Sequence, residues 1–209
     1  HSLPTLSEAG LRAFKEHIYD EIKGDATEAI LSLINQEREG TLIDKTLIKT
    51  IVELYEKIGM NNLESYTLDL EVPLLTSTRE YYSKKREEWI ASDSTPDYLI
   101  KAEKVLEEEK TRVHDYLNPS SESKLLKVVE EEILQKAEKT LLEKEGSGCR
   151  VLLENDKSED LQRMYRLFLR LEHGLPPIAS IVEKFISEKG HEIVNQRQAR
   201  LDSGEKDKN

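Results

Sequence analysis

A chain of 209 residues can bury a substantial core, either as one long domain or as two helical units. Its hydrophobic fraction of 37% stays below the roughly 45–50% of ordinary globular domains even with its nine glycines added, and its charged fraction of 35% exceeds the usual ~25%, a balance that suits an elongated helical body. The net charge of −11 argues against nucleic acid or an anionic membrane as partner, because both demand a clustered excess of Lys and Arg.

In chain order, Thr5 and Glu8 fit a capping box that opens a first helix, with Leu11, Phe14, Ile18 and Ile22 on one face. The same register runs on through Ala26, Ile30 and Leu33 to Gly40. Gly24 is also a natural stop, however, and Asp25 with Glu28 could cap a new start. Asp44 caps a second helix with Leu47, Ile51, Leu54, Tyr55 and Ile58 as its apolar positions, ending at Gly59. The third spans about Tyr66 to Ala91, yet it contains Pro73, which cannot donate a hydrogen bond and clashes with the preceding turn. The expectation is a kink there, or a helix that starts properly only at Pro73.

Pro96 suits the first turn of a fourth helix capped by Thr95, with Leu99, Ala102, Leu106, Val113 and Leu117 along its buried side. Ser121 opens a fifth, carrying Leu126, Val129, Ile133, Ala137 and Leu141 and closing at Gly146. A short helix around Cys149 to Leu153 leads to Ser158, read as the cap of a segment holding Leu161, Met164, Tyr165, Phe168 and Leu171. After Gly174, Pro176 and Pro177 begin a last amphipathic helix through Ile178, Ile181, Val182, Phe185 and Ile186, and residues beyond about Gln198 are polar and expected to fray. No strand pattern and no short fixed-period repeat stand out, so the fold class is all-α.

Residue constellations for chemistry are hard to find. Cys149, the only cysteine, rules out an internal disulfide and favours a reducing compartment. It follows Ser147-Gly148 near a helix start, but no histidine falls on a neighbouring predicted turn, so it reads as a small residue packed at a helix junction. His17, His114, His173 and His191 stand singly, without a partner in a metal-ligand pattern. The runs Glu107-Glu108-Glu109 and Glu130-Glu131-Glu132 point about 100° apart from residue to residue, so they read as solvated faces, not as ion sites. Lys84, Lys85 and Arg86 likewise read as a solvated face, since Glu87 and Glu88 follow directly. No GK[ST] follows Gly146 or Gly148, no stretch reaches the ~18 apolar residues of a membrane span, and no signal peptide precedes the first helix. The aromatic set Tyr81, Tyr82, Trp89 and Tyr98 reads as core between helices in preference to an interface hot spot, with Trp89 buried. Catalytic, cofactor-binding and metal-binding residues are therefore expected to be none.

Two blocks carry a resemblance. From Thr78 to Leu117, Tyr81, Tyr82 and Trp89 lie on one helix, Ser94-Thr95-Pro96-Asp97 makes the turn, and Tyr98, Ile100, Lys101, Ala102, Glu103, Leu106, Arg112, Val113, Tyr116 and Leu117 follow on the next. This order resembles the stalk repeats of the cullin family, most closely plant members that scaffold SCF-type (Skp adaptor, cullin, F-box) ubiquitin ligases. Gly148-Cys149-Arg150 through Leu161, then Met164-Tyr165-Arg166-Leu167-Phe168 to Gly174-Leu175, is similar to the same family further along and in the same order.

The resemblance implies an elongated stack of helices like cullin repeats. Residues 1–156 would hold one repeat, with its helices from Leu6 to Gly146; residues 157–195 the opening helices of the next, from Ser158; and residues 196–209 a polar tail that matches nothing in the family. It implies a continuous first helix with a weak point at Gly24-Asp25, and non-proline residues in relatives at the place of Pro73; these departures hint at a diverged cullin-like paralogue. His1 in place of methionine suggests an excised fragment.

The function implied is that of a non-catalytic scaffold segment of a cullin-RING ubiquitin ligase. Its partners would be proteins of ligase assembly, in the cytoplasm or nucleus. The family's Skp-adaptor site belongs to a preceding repeat and its RING-box site to a following globular region, so no residue of either is carried over and interaction residues remain unknown. The alternative is an unrelated helical tether or adaptor with no ubiquitin role. A strict heptad seam would favour it, and the wide stripes with Tyr and Trp argue against it.

Overall fold

The computed structural model describes residues 5–60 and 62–202, and among these every regular element is helical, as the apolar spacing predicts. The expected start at His1 and residues 203–209 of the expected polar tail lie outside the described residues. The helices gather into two compact units: residues up to Glu87 with Lys104–Ile133, and Glu88–Glu103 with the residues from Leu134 onward. None of the described helices is long and apolar enough to cross a membrane.

The first unit begins with α1 (Leu6–Phe14), where the Glu8 amide donates to Thr5 Oγ1 at 3.3 Å and the Thr5 amide donates to the Glu8 carboxylate at 2.7 Å. A π-helical turn, Lys15–Tyr19, joins α1 to α2 (Asp20–Arg38) without a break. The irregularity thus lies at Lys15–Tyr19, not at Gly24-Asp25, where a side chain at Gly24 would meet nothing within 4 Å. A π turn adds one residue to the helical repeat, so the position that follows Phe14 inward is Tyr19. Tyr19 is 2% exposed, whereas the expected Ile18 is 45% exposed.

In α3 (Lys45–Ile58) the Leu47 amide donates to Asp44 Oδ1 at 3.0 Å, the cap the sequence predicts. Its buried stripe is Ile48, Val52, Tyr55 and Ile58: Tyr55 and Ile58 are buried as expected, Ile48 and Val52 take the places expected for Leu47 and Ile51, and Leu47 is exposed.

The third helix starts as a single turn, α4 (Glu64–Tyr66), passes through a second π turn, Thr67–Glu71, and becomes regular α5 (Val72–Ser92). Pro73 therefore sits in the first turn of α5, which is the second of the two outcomes expected. Inside the π turn just ahead of Pro73, the Asp69 carbonyl accepts from Thr27 Oγ1 at 2.7 Å, and Thr27 Oγ1 shares a 2.7 Å bond with the Tyr55 hydroxyl. The unit is completed by the later part of α6 (Thr95–Tyr116) and by α7 (Glu122–Ile133), whose 3-10 entry, Pro119–Ser121, is capped by Asn118. Tyr19, Ile30, Ile34, Ile48, Tyr55, Tyr66 and Leu74 belong to one core cluster that also takes in Val113, Tyr116 and Leu125.

In the second unit, Ser94 caps α6: its Oγ accepts from the Asp97 amide at 3.2 Å. Thr95, expected as the cap, lies one residue inside and fully buried, with its hydroxyl donating to the Leu141 carbonyl at 2.9 Å and its amide donating to Ser147 Oγ at 3.1 Å. The expected fifth helix is interrupted by a 3-10 turn, Gln135–Ala137, before α8 (Glu138–Glu143). After α9 (Cys149–Glu154) comes α10 (Ser158–Phe168), in which Ser158 is the first helical residue and Lys157 holds the cap position without a side-chain bond. Met164, Leu167 and Phe168 are buried, and the expected Tyr165 faces solvent. The last helix, α11 (Leu175–Asp202), continues past Gln198.

Candidate functional site

The most elaborate constellation is a buried charge network in the first unit. Glu109, on α6, is 0% exposed at its side chain and Arg38, on α2, is 1% exposed. Arg38 holds Glu109 with two prongs, Nε to Oε1 at 2.8 Å and Nη2 to Oε2 at 3.1 Å, a planar fork that fixes the angle between the two groups. Nη2 also donates to Thr78 Oγ1 at 2.8 Å, Nη1 donates to Asn35 Oδ1 at 2.9 Å, and the guanidinium lies over the Tyr81 and Tyr82 rings at 5.1 and 5.3 Å. Tyr82 OH donates to Glu109 Oε1 at 2.6 Å, and Arg112 Nη1 donates to the same oxygen at 2.7 Å.

The network continues outward. Arg112 Nε donates to Glu37 Oε2 at 2.9 Å, Tyr116 OH donates to that oxygen at 2.6 Å, and Lys45 Nζ bridges Glu37 and Asp115 at 2.9 Å each. Burial alone would push the Glu109 carboxyl pKa up; the charges and hydrogen bonds of Arg38 and Arg112 outweigh it, leaving the pKa below the ordinary value. Burial and the Glu109 charge push the Tyr82 phenol well above its ordinary pKa, so it stays a donor.

These positions correct the reading of the glutamate runs as solvated faces. Glu109 is the third member of its run and Glu132 the third of the other, and Glu132 is also fully buried, accepting from Arg86 Nη1 at 2.7 Å. Arg86 and Lys85 leave the expected solvated basic face as well, since Lys85 binds Glu39 at 2.9 Å. A sequence signal was available: Glu109 falls on the line Ala102, Leu106, Val113, and Glu132 on the line Leu125, Val129, so each occupies a core register.

A third buried carboxylate, Glu71, accepts from Ser121 Oγ and Lys124 Nζ at 2.7 Å each, and Ser121 Oγ shares a 2.7 Å bond with Tyr66 OH. Every one of these carboxylates is consumed by cations and hydroxyls of the chain itself. Their chemistry is to hold helices in register.

The aromatic set divides. Tyr82 and Tyr98 are core, as expected, while Tyr81 and Trp89 are only partly buried. Trp89 meets Tyr98 edge-to-face with centroids 5.8 Å apart and carries Lys101 Nζ 5.7 Å from its ring centroid, so the expectation of a buried tryptophan is corrected to a half-covered one. Cys149 is fully buried, and burial pushes its thiol pKa up, which disfavours the thiolate. His17, His114, His173 and His191 are exposed, and no group of His, Cys, Asp and Glu among the described residues is arranged to hold a metal ion.

Gly148, in the second quoted block, has a packing reason: a Cβ there would stand 2.5 Å from the Leu142 carbonyl oxygen. Beside the charge network, a surface depression of about 480 Å³ is lined by Arg112, Lys45 and Lys104 among others.

Comparison with known proteins accounts for this arrangement of helices. The family model described as the Cullin alpha solenoid domain matches residues 1–209. The chain is 42% identical over 194 residues or more to plant relatives; for Cullin-2 of Arabidopsis thaliana the figure is 42% over 195 residues, covering 93% of this chain and 26% of that protein. It is 45% identical to Cullin-1 of Oryza sativa subsp. japonica over 94% of this chain and 26% of the relative, and 36% identical to Cullin-3 of Dictyostelium discoideum over 98% and 27%. The chain thus spans about a quarter of the length of these relatives. With its whole length matched by the solenoid model, the chain belongs to the cullin family.

Proposed function

We propose that this chain is a non-catalytic scaffold segment of a cullin-RING ubiquitin ligase of the SCF type, acting in ubiquitin-dependent protein degradation in the cytoplasm or nucleus. The observation that carries the reading is the family match over the whole chain, together with helices pinned to one another by buried ion pairs. A scaffold contributes distance and orientation between other components and no covalent chemistry of its own. On this reading residues 1–156 form one cullin-type repeat and 157–195 open the next, while the Skp-adaptor and RING-box sites lie outside these residues. The reading of an unrelated tether loses its ground with the family match.

Purified chain is to be offered to a purified Skp-type adaptor with its F-box protein, to a RING-box protein, and to a complete ubiquitin-transfer mixture. The expected result is no saturable binding of either end component and no ubiquitin transfer. Micromolar or tighter adaptor binding overturns the placement of the sites, and transfer activity overturns the scaffold assignment.

A further inference from the structure

Arg112, together with Glu37 and Lys45 of the same charge network, lines the depression. Its side chain is 6% exposed, yet its bonds use only two of three nitrogens: Nε to Glu37 and Nη1 to Glu109. Nη2 makes no hydrogen bond among the described residues, although a guanidinium held this rigidly presents its donors in a fixed plane. Two lysines stand on the same depression, Lys45 and the largely exposed Lys104. The rest of its charged lining is Glu37, Glu107 and Glu108, so cations and carboxylates balance.

We propose that this depression is a carboxylate-binding subsite, in which Arg112 Nη2 is the fixed donor and Lys45 and Lys104 supply the flanking positive charge. A donor held in place with no protein partner, and still reached by solvent, can exchange water for an acceptor at little ordering cost, and a charged acceptor makes the stronger bond. The three rim glutamates select against a dianion, because each added negative charge meets their repulsion, and this favours a monoanionic carboxylate over a phosphate. The source of the carboxylate is a glutamate or aspartate side chain of a protein partner or a small free acid. Only the first source rests on the scaffold reading, and the subsite itself stands without it.

The test follows the guanidinium ¹⁵N–¹H signal of Arg112 and the amide of Thr111 by nuclear magnetic resonance in the full chain. The titrants are acetate, the blocked peptide acetyl-Ala-Glu-Ala-amide, inorganic phosphate, and chloride at matched ionic strength. Both signals are expected to shift saturably with acetate and with the peptide but not with chloride, the peptide binding more tightly if the source is a protein. Lys104→Ala, which lies outside the buried network and leaves the fold intact, is expected to weaken acetate binding about threefold, the size of one exposed charge contact. Shifts that are linear and equal for acetate and chloride overturn the subsite, since they report screening alone. Saturation by phosphate and not by acetate overturns the carboxylate assignment. Neither outcome bears on the adaptor and ubiquitin-transfer assays, so the two readings fail separately.

Discussion

The two units solve the same problem, joining helices, with different chemistry. In the first, long charged side chains meet one another between helices: Arg38 to Glu109, Arg86 to Glu132, Lys124 to Glu71. In the second, charge pairing between helices is half-exposed, as at Glu103 with Arg163 and Arg166, and the buried polar contacts go to backbone oxygens at helix ends: Thr95 to the Leu141 carbonyl at 2.9 Å, and Lys144 to the carbonyls of Ile90 and Asp93 at 2.6 Å each. The difference follows from what each side chain meets. A buried carboxylate facing another helix needs a cation or a hydroxyl to offset its lost hydration. At the ends, the last turn exposes carbonyls without donors, and a hydroxyl or ammonium that satisfies them fixes the turn as well.

The sharpest way to break this contrast is to strip the first unit of its central charge. Glu109→Ala leaves Arg38 buried without its counter-ion and is expected to cost about 3–5 kcal/mol in chemical denaturation. The double change Arg38→Met with Glu109→Leu is expected to recover most of that loss, because an apolar pair has no charge to desolvate. If the double variant is no better than the single, the charges do more than fill space and the account of register needs another source.

Acid probes the same region without mutation. Burial raises the Glu109 and Glu37 carboxyl pKa values, but their arginine, lysine and tyrosine partners bring both below the ordinary 4.5. With a depressed folded-state pKa, the unfolded chain takes up protons first. The stability these groups contribute is therefore complete above about pH 4.5 and is lost as pH falls below it through the depressed values. Melting temperatures between pH 7 and pH 3 should stay level until that window, and a decline centred on neutral pH would contradict it.

In the second unit the corresponding test is Gly148→Ala. The added carbon would crowd the Leu142 carbonyl at 2.5 Å and the Lys144 carbonyl at 2.8 Å, both backbone atoms, so a loss of about 1–3 kcal/mol is expected. An unchanged midpoint would mean that the turn relaxes freely, and that its hydrogen bonds are not what fixes it.

The smallest effect sharpens the picture at Pro73. Because Pro73 stands in the first turn of α5 directly after a π turn, Pro73→Ala chiefly frees the unfolded chain, for an expected loss of about 0.4–1 kcal/mol. A gain in stability near 3 kcal/mol would instead place the proline in a strained helix interior.

Much of the fold was legible in the sequence. Asp44 as a cap, Leu99, Ala102, Leu106, Val113 and Leu117 as a buried line, and regular helix from near Pro73 all follow from local rules that the structure obeys. The π turns were not legible. A single inserted residue leaves no compositional mark, yet it rotates everything that follows, which is why Tyr19 displaced Ile18 from the core. The buried glutamates were hidden for a different reason. Glu109 and Glu132 look like surface residues until Arg38 and Arg86, which lie on other helices, are brought to them. The depression beside Arg112 depends on side chains from both α2 and α6 and on Lys45, so no single stretch of sequence announces it.

α11 carries a consequence for the rate at which its backbone meets water. Its first half packs its apolar residues partly against neighbours, but every residue from Ile186 to Asp202 is exposed. A helix without tertiary cover is only as durable as its own short-range hydrogen bonds, which are marginal at such lengths. Deuterium should therefore enter α11 as a gradient, slowly near Ile181 and faster with each turn beyond Gly190, so that the single helix behaves as a graded clock of local opening.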